Sequence, residues 1–327
     1  MKILYCVQLT GNGHVTRANE LIPEFKKVAK VDVLTSGNQN SLEIKEKVNF
    51  KFRGLSFVFG SRGGVDIFKT ILNLRPFTFI KDVFNLQVKN YDLIINDFEP
   101  VSAWACKFRG VPCYSMSRQF SILQKNSFNK VKQKLYEFLI LKYFAPSING
   151  IGFDYKKDNS NNFYPIIKSD IKRKKVINKN HYTIYLPSFS IENIINFFSS
   201  LDEVIWHVFS PKINKPFKKE NLSFFPTDYK VFEQSILSCK GIVSNAGFET
   251  TSEALYLGKK LLIIPMKNQF EQQYNASILS NMGIKILLDL KQKRLGTVKE
   301  WILSCLLYTS DAADDLLCVD LGGRRII

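Results

Sequence analysis

The stretch VQLTGNGHVTRA, Val7 to Ala18, follows the first apolar run of the chain and places two glycines and a histidine ahead of an amphipathic segment. KILYCVQ has the composition of a buried strand, and Val15, Ala18, Leu21, Ile22 and Phe25 recur at helical spacing. Gly11, Asn12, Gly13 and His14 therefore form a strand-to-helix turn, which points backbone N–H groups and the positive end of a helix at an anion. A dinucleotide fingerprint is not met, because Thr16 occupies the third glycine position and Asp32 begins the second strand instead of ending it. His14 is one of three histidines. A helix N-terminus disfavours the imidazolium, so a ring in the first turn is suited either to accept a proton near neutral pH or to cap and pack the helix.

A second constellation runs from Cys239 to Ala276, CKGIVSNAGFETTSEALYLGKKLLIIPMKNQFEQQYNA. A strand over 241–244 turns through Asn245, Ala246 and Gly247 into a helix that ends at Gly258. The next strand, 261–264, stops at Pro265 and opens a loop carrying Gln269, Glu271, Gln272, Gln273 and Asn275. Both turns fall at strand C-terminal ends, where open α/β sheets bind their ligands. Gly247 would let phosphate oxygens approach the backbone, Glu253 can accept two hydrogen bonds from a ribose diol, and the glutamines can grip sugar hydroxyls. In the first half, LIINDFEP places Asp97 and Glu99 just after another buried strand. Asp97 is expected to orient His14, with a helix cap as the alternative. Glu99 and Arg118, the latter after the strand at 112–115, are expected at the same sheet edge.

The elements that must position these residues alternate short apolar runs with amphipathic stretches, the pattern of βαβ units. In the first half strands are predicted near 2–8, 31–35, 48–52, 56–59, 91–96, 112–115 and 149–153. Helices are predicted near 14–29, 66–74, 78–89, 99–109 and 128–144, with Pro76 breaking a longer helix. The polar, aperiodic stretch 154–180 reads as a linker. After it, strands near 182–187, 204–209, 222–225, 240–244, 260–264 and 284–288 alternate with helices near 190–200, 230–238, 247–257, 270–281 and 296–304. The expectation is an α/β chain of two Rossmann-like domains with parallel sheets facing across a cleft, 1–153 and 181–305. From about Leu306 the text becomes acidic and rich in small residues, unlike the body, and 306–327 reads as a non-native tail that replaces the natural C-terminus.

The chain has 327 residues, 45% of them hydrophobic, with a formal net charge of +17. No window approaches twenty uncharged apolar residues and no secretory leader is legible, so a cytoplasmic protein is expected. The six cysteines show no CxxC spacing and are expected to be free thiols, with no metal site. The positive charge implies an anionic partner. No zinc spacing, RNP-like motif or basic repeat is present, which argues against nucleic acid. Between Phe57 and Phe84, and again over Lys125–Lys142, lysines and arginines interleave with aromatic residues, a composition suited to the anionic face of a membrane as well as to an ordinary core-facing helix.

The pattern of Gly247, Thr250, Glu253 and Gly258, followed by a strand, a proline and QQYNA, resembles the donor-binding motif of GT-B glycosyltransferases, and is similar above all to the family 28 and UDP-glycosyltransferase type. GNGHVTRA resembles the glycine-rich acceptor-domain loop of the same family, although it is shorter than the GGTGGH-type loop of the peptidoglycan N-acetylglucosamine transferases, which implies a different acceptor. The resemblance implies an inverting transfer of a hexose or N-acetylhexosamine from a nucleoside-diphosphate sugar, with UDP expected, to a hydroxyl of a cell-envelope glycan or lipid-linked acceptor. It implies His14 as base with Asp97 as its partner or as an acceptor contact, and Glu99 and Arg118 on the acceptor side. Gly11, Asn12, Gly13, Asn245, Ala246 and Gly247 would lie along the diphosphate, so that no metal or other cofactor is called for. Phe225, Thr250, Glu253, Gln269, Gln272, Gln273 and Asn275 would lie around the nucleotide sugar. The alternatives are a nucleotide-sugar-binding protein without catalysis and a UDP-GlcNAc 2-epimerase-like enzyme of the same fold.

Overall fold

A computed structural model describes residues 1–37, 42–55, 75–124, 135–157, 161–177, 179–267 and 269–304. These fall into two compact units, one ending at Lys168 and the other beginning at Ser169. The strand expected at 56–59, the helix at 66–74, the basic run 125–134 and the tail after 304 lie outside the described residues.

The first unit is built on a seven-stranded sheet, order β3-β2-β1-β4-β5-β6-β7, and every pairing in it is parallel. Its strands are β1 (Lys2–Gln8), β2 (Lys30–Ser36), β3 (Phe50–Phe52), β4 (Leu93–Asp97), β5 (Tyr114–Ser117), β6 (Asn149–Phe153) and β7 (Asn162–Phe163). ILYCVQ of β1 is buried on both faces, which is why it reads as a continuous apolar run and not as an alternation. The helices are α1 (Asn12–Lys26), α2 (Pro76–Asn85), α3 (Pro100–Arg109), α4 (Arg118–Gln124) and α5 (Leu135–Phe144). Pro76 opens α2, a position where its missing N–H costs nothing. The chain winds outward through β2 and β3, then crosses back to β4 on the other side of β1. β1 and β4 therefore form the switch point of the sheet.

The second unit repeats the plan in the order β10-β11-β9-β8-β12-β13-β14. Its strands are β8 (His181–Tyr185), β9 (Ile205–Ser210), β10 (Phe217–Lys219), β11 (Leu222–Pro226), β12 (Gly241–Ser244), β13 (Lys260–Ile263) and β14 (Lys285–Ile286). Only the edge hairpin β10–β11 is antiparallel among them. The helices are α6 (Ser169–Arg173), α7 (Ile191–Phe198), α8 (Tyr229–Ser238), α9 (Phe248–Tyr256), α10 (Phe270–Asn281) and α11 (Leu295–Leu303). Here the switch point lies between β8 and β12. Ile184, Phe197, Phe198, Trp206, Val208, Phe224 and Val243 fill the core under it.

The stretch 154–180 carries structure that its polar composition does not announce. β7 adds to the first sheet through Gly152↔Asn162 and Phe153↔Phe163, and α6 opens the second unit. Elements this short offer no period to read. Cys6, Cys106, Cys113 and Cys239 are free and buried.

At the start of β8, His181 stacks on His207 of β9 with ring centroids 4.0 Å apart. The Ser235 hydroxyl lies between them, 3.3 Å from His181 Nε2 and 3.4 Å from His207 Nδ1. Burial, and then the neighbouring His207, push the His181 pKa down from 6.5 to about 4. The unfolded chain therefore binds a proton at pH values where the folded chain refuses it, and stability drains as pH falls from 6.5 towards 4. Melting curves across this interval should show the temperature midpoint dropping with acidity, and the slope should shrink in H181N. An unchanged slope in that variant would remove the pair as the cause.

Candidate active site

Strand pairing fixes the first part of the site. Val7 of β1 lies opposite Asp97 of β4, so the carboxylate ends its strand beside the loop that leads into α1. In that loop Gly11 has φ +94°, a left-handed conformation that L side chains rarely adopt, and it starts α1 without any side-chain cap. His14 then falls in the first turn and reaches back over the sheet edge. Its Nδ1 lies 2.8 Å from Asp97 Oδ1. Arg17, one turn further along the same helix, donates from Nε to Asp97 Oδ2 at 2.9 Å and from Nη2 to Asp97 Oδ1 at 2.8 Å. Asp97 is wholly buried, and the His14 side chain keeps 11% of its surface exposed.

Charge settles which nitrogen of His14 carries the proton. Burial pushes the Asp97 pKa up, but the Arg17 charge, followed by His14, overrides it and holds the carboxyl below its ordinary value. An ionised carboxylate accepts only, so Nδ1 is the donor and Nε2 carries the lone pair of the neutral ring. Arg17 Nη2 is also 3.2 Å from His14 Nδ1, a contact between two donors and therefore electrostatic rather than a hydrogen bond.

Two residues expected on the acceptor side are engaged elsewhere. Glu99 is the cap of α3, accepting from Val101 N and Ser102 N at 2.7 Å each, and it is fully buried. The capping alternative weighed for Asp97 thus belongs to Glu99. Phe98, between the two acids, has φ +57° and swings the chain from one role to the other. Arg118 is 1% exposed and forms an ion pair with Asp154 at 2.9 Å, while also donating to the Phe153 carbonyl at 2.7 Å. The Phe153 ring in turn packs under the Arg17 guanidinium, 5.3 Å from its centroid. Arg17, Phe153 and Asp154 escaped the sequence reading. Only Arg17 carried a legible signal, its i+3 spacing from His14.

In the second unit β12 delivers Asn245, Ala246 and Gly247 to the start of α9. Gly247 has φ −69°, which any residue adopts, and a Cβ built there would meet no atom within 4 Å. Backbone strain does not call for glycine at this position, and the space above it is open. α9 begins without a side-chain cap, whereas α3, α7, α8 and α10 are capped by Glu99, Ser190, Asp228 and Gln269. No side chain thus competes for the positive end of this helix, the end that suits an anion.

The amides expected around the nucleotide sugar mostly build the loops. Asn245 Nδ2 donates to the Ile264 carbonyl at 2.7 Å, and its Oδ1 accepts from Ser188 Oγ at 3.0 Å, tying together the loops after β8, β12 and β13. Asn275 Nδ2 donates to the Ala246 carbonyl at 3.0 Å. Gln269 caps α10 by accepting from Gln272 N, and Gln272 Oε1 accepts from Met266 N, each at 3.0 Å. These bonds use the oxygens of Gln269 and Gln272, so the amide N–H groups are what they can offer to a hydroxyl. Glu253 is buried on α9, Thr250 is half-buried and Gln273 is exposed. Phe225 is half-buried, stacked on Phe209 at 5.2 Å. Among the described residues no three His, Cys, Asp or Glu side chains converge as metal ligands.

Comparison with known proteins meets this geometry at the level of fold and family. The solved structure of Arabidopsis thaliana UGT89C1 in complex with UDP covers 98% of this chain and 96% of its own, with a TM-score of 0.63 and 12% sequence identity. Acinetobacter baumannii MurG covers 96% and 94%, with a TM-score of 0.57 and 13% identity. These likenesses show the GT-B fold. A protein of Methanosarcina mazei described as an uncharacterized glycosyltransferase is 23% identical over 347 residues, 94% of this chain and 90% of its own length. The model of glycosyl transferase family 1 matches residues 1–304. The chain therefore belongs to glycosyl transferase family 1 and is a glycosyltransferase.

Proposed function

We propose that this glycosyltransferase moves a hexose or N-acetylhexosamine from a UDP-sugar to a hydroxyl of a lipid-linked or cell-envelope glycan acceptor, with inversion and without a divalent metal. The observation that carries the reading is the contact between His14 Nδ1 and Asp97 at 2.8 Å, which sets the lone pair of a partly exposed imidazole on Nε2. Nε2 takes the acceptor proton as the hydroxyl oxygen bonds to the anomeric carbon, and the bond from that carbon to the nucleoside diphosphate breaks. The uncapped start of α9 at Gly247, with its helix dipole, stabilises the departing diphosphate, the task that a metal performs in other enzymes. Glu253 accepts from the ribose hydroxyls, and Gln269, Gln272 and Gln273 supply donors for the sugar.

The acceptor side draws support from the surface of the first unit. Phe77, Ile80 and Phe84 on α2 and Phe108 on α3 are exposed, Phe77 by 86%. Phe84 stacks on Phe108 at 5.7 Å, and Trp104 joins them at 5.5 Å. Lys107 lies over the Trp104 ring at 4.8 Å and Lys142 over the Tyr143 ring at 5.5 Å. An aromatic patch edged by cations suits the anionic cytoplasmic face of a membrane, where a lipid-linked acceptor resides. Among the described residues no helix is long and apolar enough to cross one.

H14A should lower the transfer rate by about a hundredfold or more while UDP still raises the melting temperature; a wild-type rate would sink the proposed base. G247A should keep stability within about 1 kcal/mol, since the backbone and the open space accept a methyl group. Its UDP affinity, measured by calorimetry, should fall about tenfold or more, and unaltered affinity would move the diphosphate elsewhere. The protein should float with phosphatidylglycerol vesicles at low salt and not with phosphatidylcholine vesicles, and F84E/F108E should remain in the pellet fraction. Equal flotation of the variant would dismiss the patch.

A further inference from the structure

The reaction assigned to His14 leaves one buried charge of the site unexplained. Arg17 is 4% exposed and shares α1 with the histidine. It grips both oxygens of Asp97, at 2.9 Å and 2.8 Å, and its outer face rests on the Phe153 ring. An arginine kept for packing alone would not need both carboxylate oxygens, nor would it need to stand 3.2 Å from a histidine nitrogen. A planar fork holding a carboxylate in two bonds fixes the plane and the direction of that carboxylate.

We propose that Arg17 is the positioning residue of the His14–Asp97 pair, its two-pronged hold on the carboxylate fixing the tautomer and the orientation of the imidazole. The inference rests on the reading of His14 as base. Three alternatives for the pair are removed by this arrangement. A protonated Asp97 would lose an Arg17 bond, so it cannot donate to Nδ1 and leave the proton on Nε2. A carboxylate held by only one donor could swing and carry the ring with it. Without the guanidinium, the Asp97 charge would be balanced by His14 alone, and the ring would hold its second proton to higher pH, unavailable as a base. Arg17 thus keeps the pair from closing into an imidazolium–carboxylate ion pair at working pH.

Among the described residues, the neighbouring Tyr5, Arg118, Asp154 and Glu99 do not supply this balance. Tyr5 of β1 is buried, and its phenol is pushed well above its usual range, first by burial, so it stays neutral. Arg118 and Asp154, behind Phe153, cancel one another at 2.9 Å. Glu99 is turned into the start of α3, where its carboxylate accepts from backbone N–H groups.

The test is an NMR titration of His14 in protein with 15N-labelled imidazoles, set beside pH profiles of kcat/KM and kcat, for wild type, R17Q and R17K. In wild type the neutral ring should show the proton on Nδ1 and a bare Nε2. R17Q should raise the His14 midpoint by about one pH unit or more and move the acid limb of kcat/KM to higher pH by the same amount, with the donor KM unchanged. R17K retains the charge without the fork, and its midpoint should fall between the two. An R17Q midpoint equal to wild type overturns the proposal, and so does a wild-type ring with its proton on Nε2. Should R17Q fail to fold, the wild-type tautomer and R17K decide the matter. The titration reads the ring without turnover, so it judges Arg17 even where H14A shows that another group is the base.

Discussion

A carboxylate with no exposed surface stands at the switch point of the first sheet, and the rest of the first unit is arranged so that it can remain charged there. Removing an unpaired charge of this kind from water costs several kcal/mol or more, about what a whole domain has to spare. Asp97 is tolerated because α1 returns over the sheet edge with a guanidinium and an imidazole spaced one turn apart. That return in turn requires Gly11 in its left-handed conformation and β1 directly beside β4. Topology, turn and charge are therefore one constraint, and the imidazole of His14 is held by it.

The second unit solves a related problem with dipoles. Its side chains at the switch point are largely occupied in fastening three loops to one another: Asn245 reaches Ile264 and Ser188, and Asn275 reaches Ala246. The first turn of α9 has no side-chain cap, and a Cβ at Gly247 would meet no atom within 4 Å. Under the proposed function, N–H groups held in place by the helix need no rearrangement when charge develops on the leaving diphosphate.

Much of this was legible in the sequence, for identifiable reasons. Strands buried on both faces, such as β1 and β12, stand out as apolar runs, and helices such as α10 show at 270–281 in text and structure alike. His14 and Asp97 could be associated because each lies at the C-terminal end of a recognisable central strand, Asp97 closing β4 and His14 in the helical turn after β1. Partner choice among polar residues was not legible. Glu99 and Asp97 are two positions apart in the same motif, and only the φ of +57° at Phe98 assigns one to a helix cap and the other to the histidine. Arg118 could not be told from a ligand contact because its partner, Asp154, arrives from beyond β6. The asparagines and glutamines of the second motif have the chemistry to bind a sugar and the chemistry to bind a loop carbonyl, and nothing local distinguishes the two.

Phe153 links the two buried ion pairs of the first unit, its ring under Arg17 and its carbonyl on Arg118. Arg17 and Asp97 are 80 residues apart in the chain, and Arg118 and Phe153 are 35 apart. Contacts of such span carry the entropic cost of closing the loops between them. His14 therefore meets Asp97 only once β1 and β4 are paired. A chain in which those strands are unpaired carries the same imidazole with no carboxylate behind it, which makes the contact between His14 and Asp97 a readout of a completed sheet.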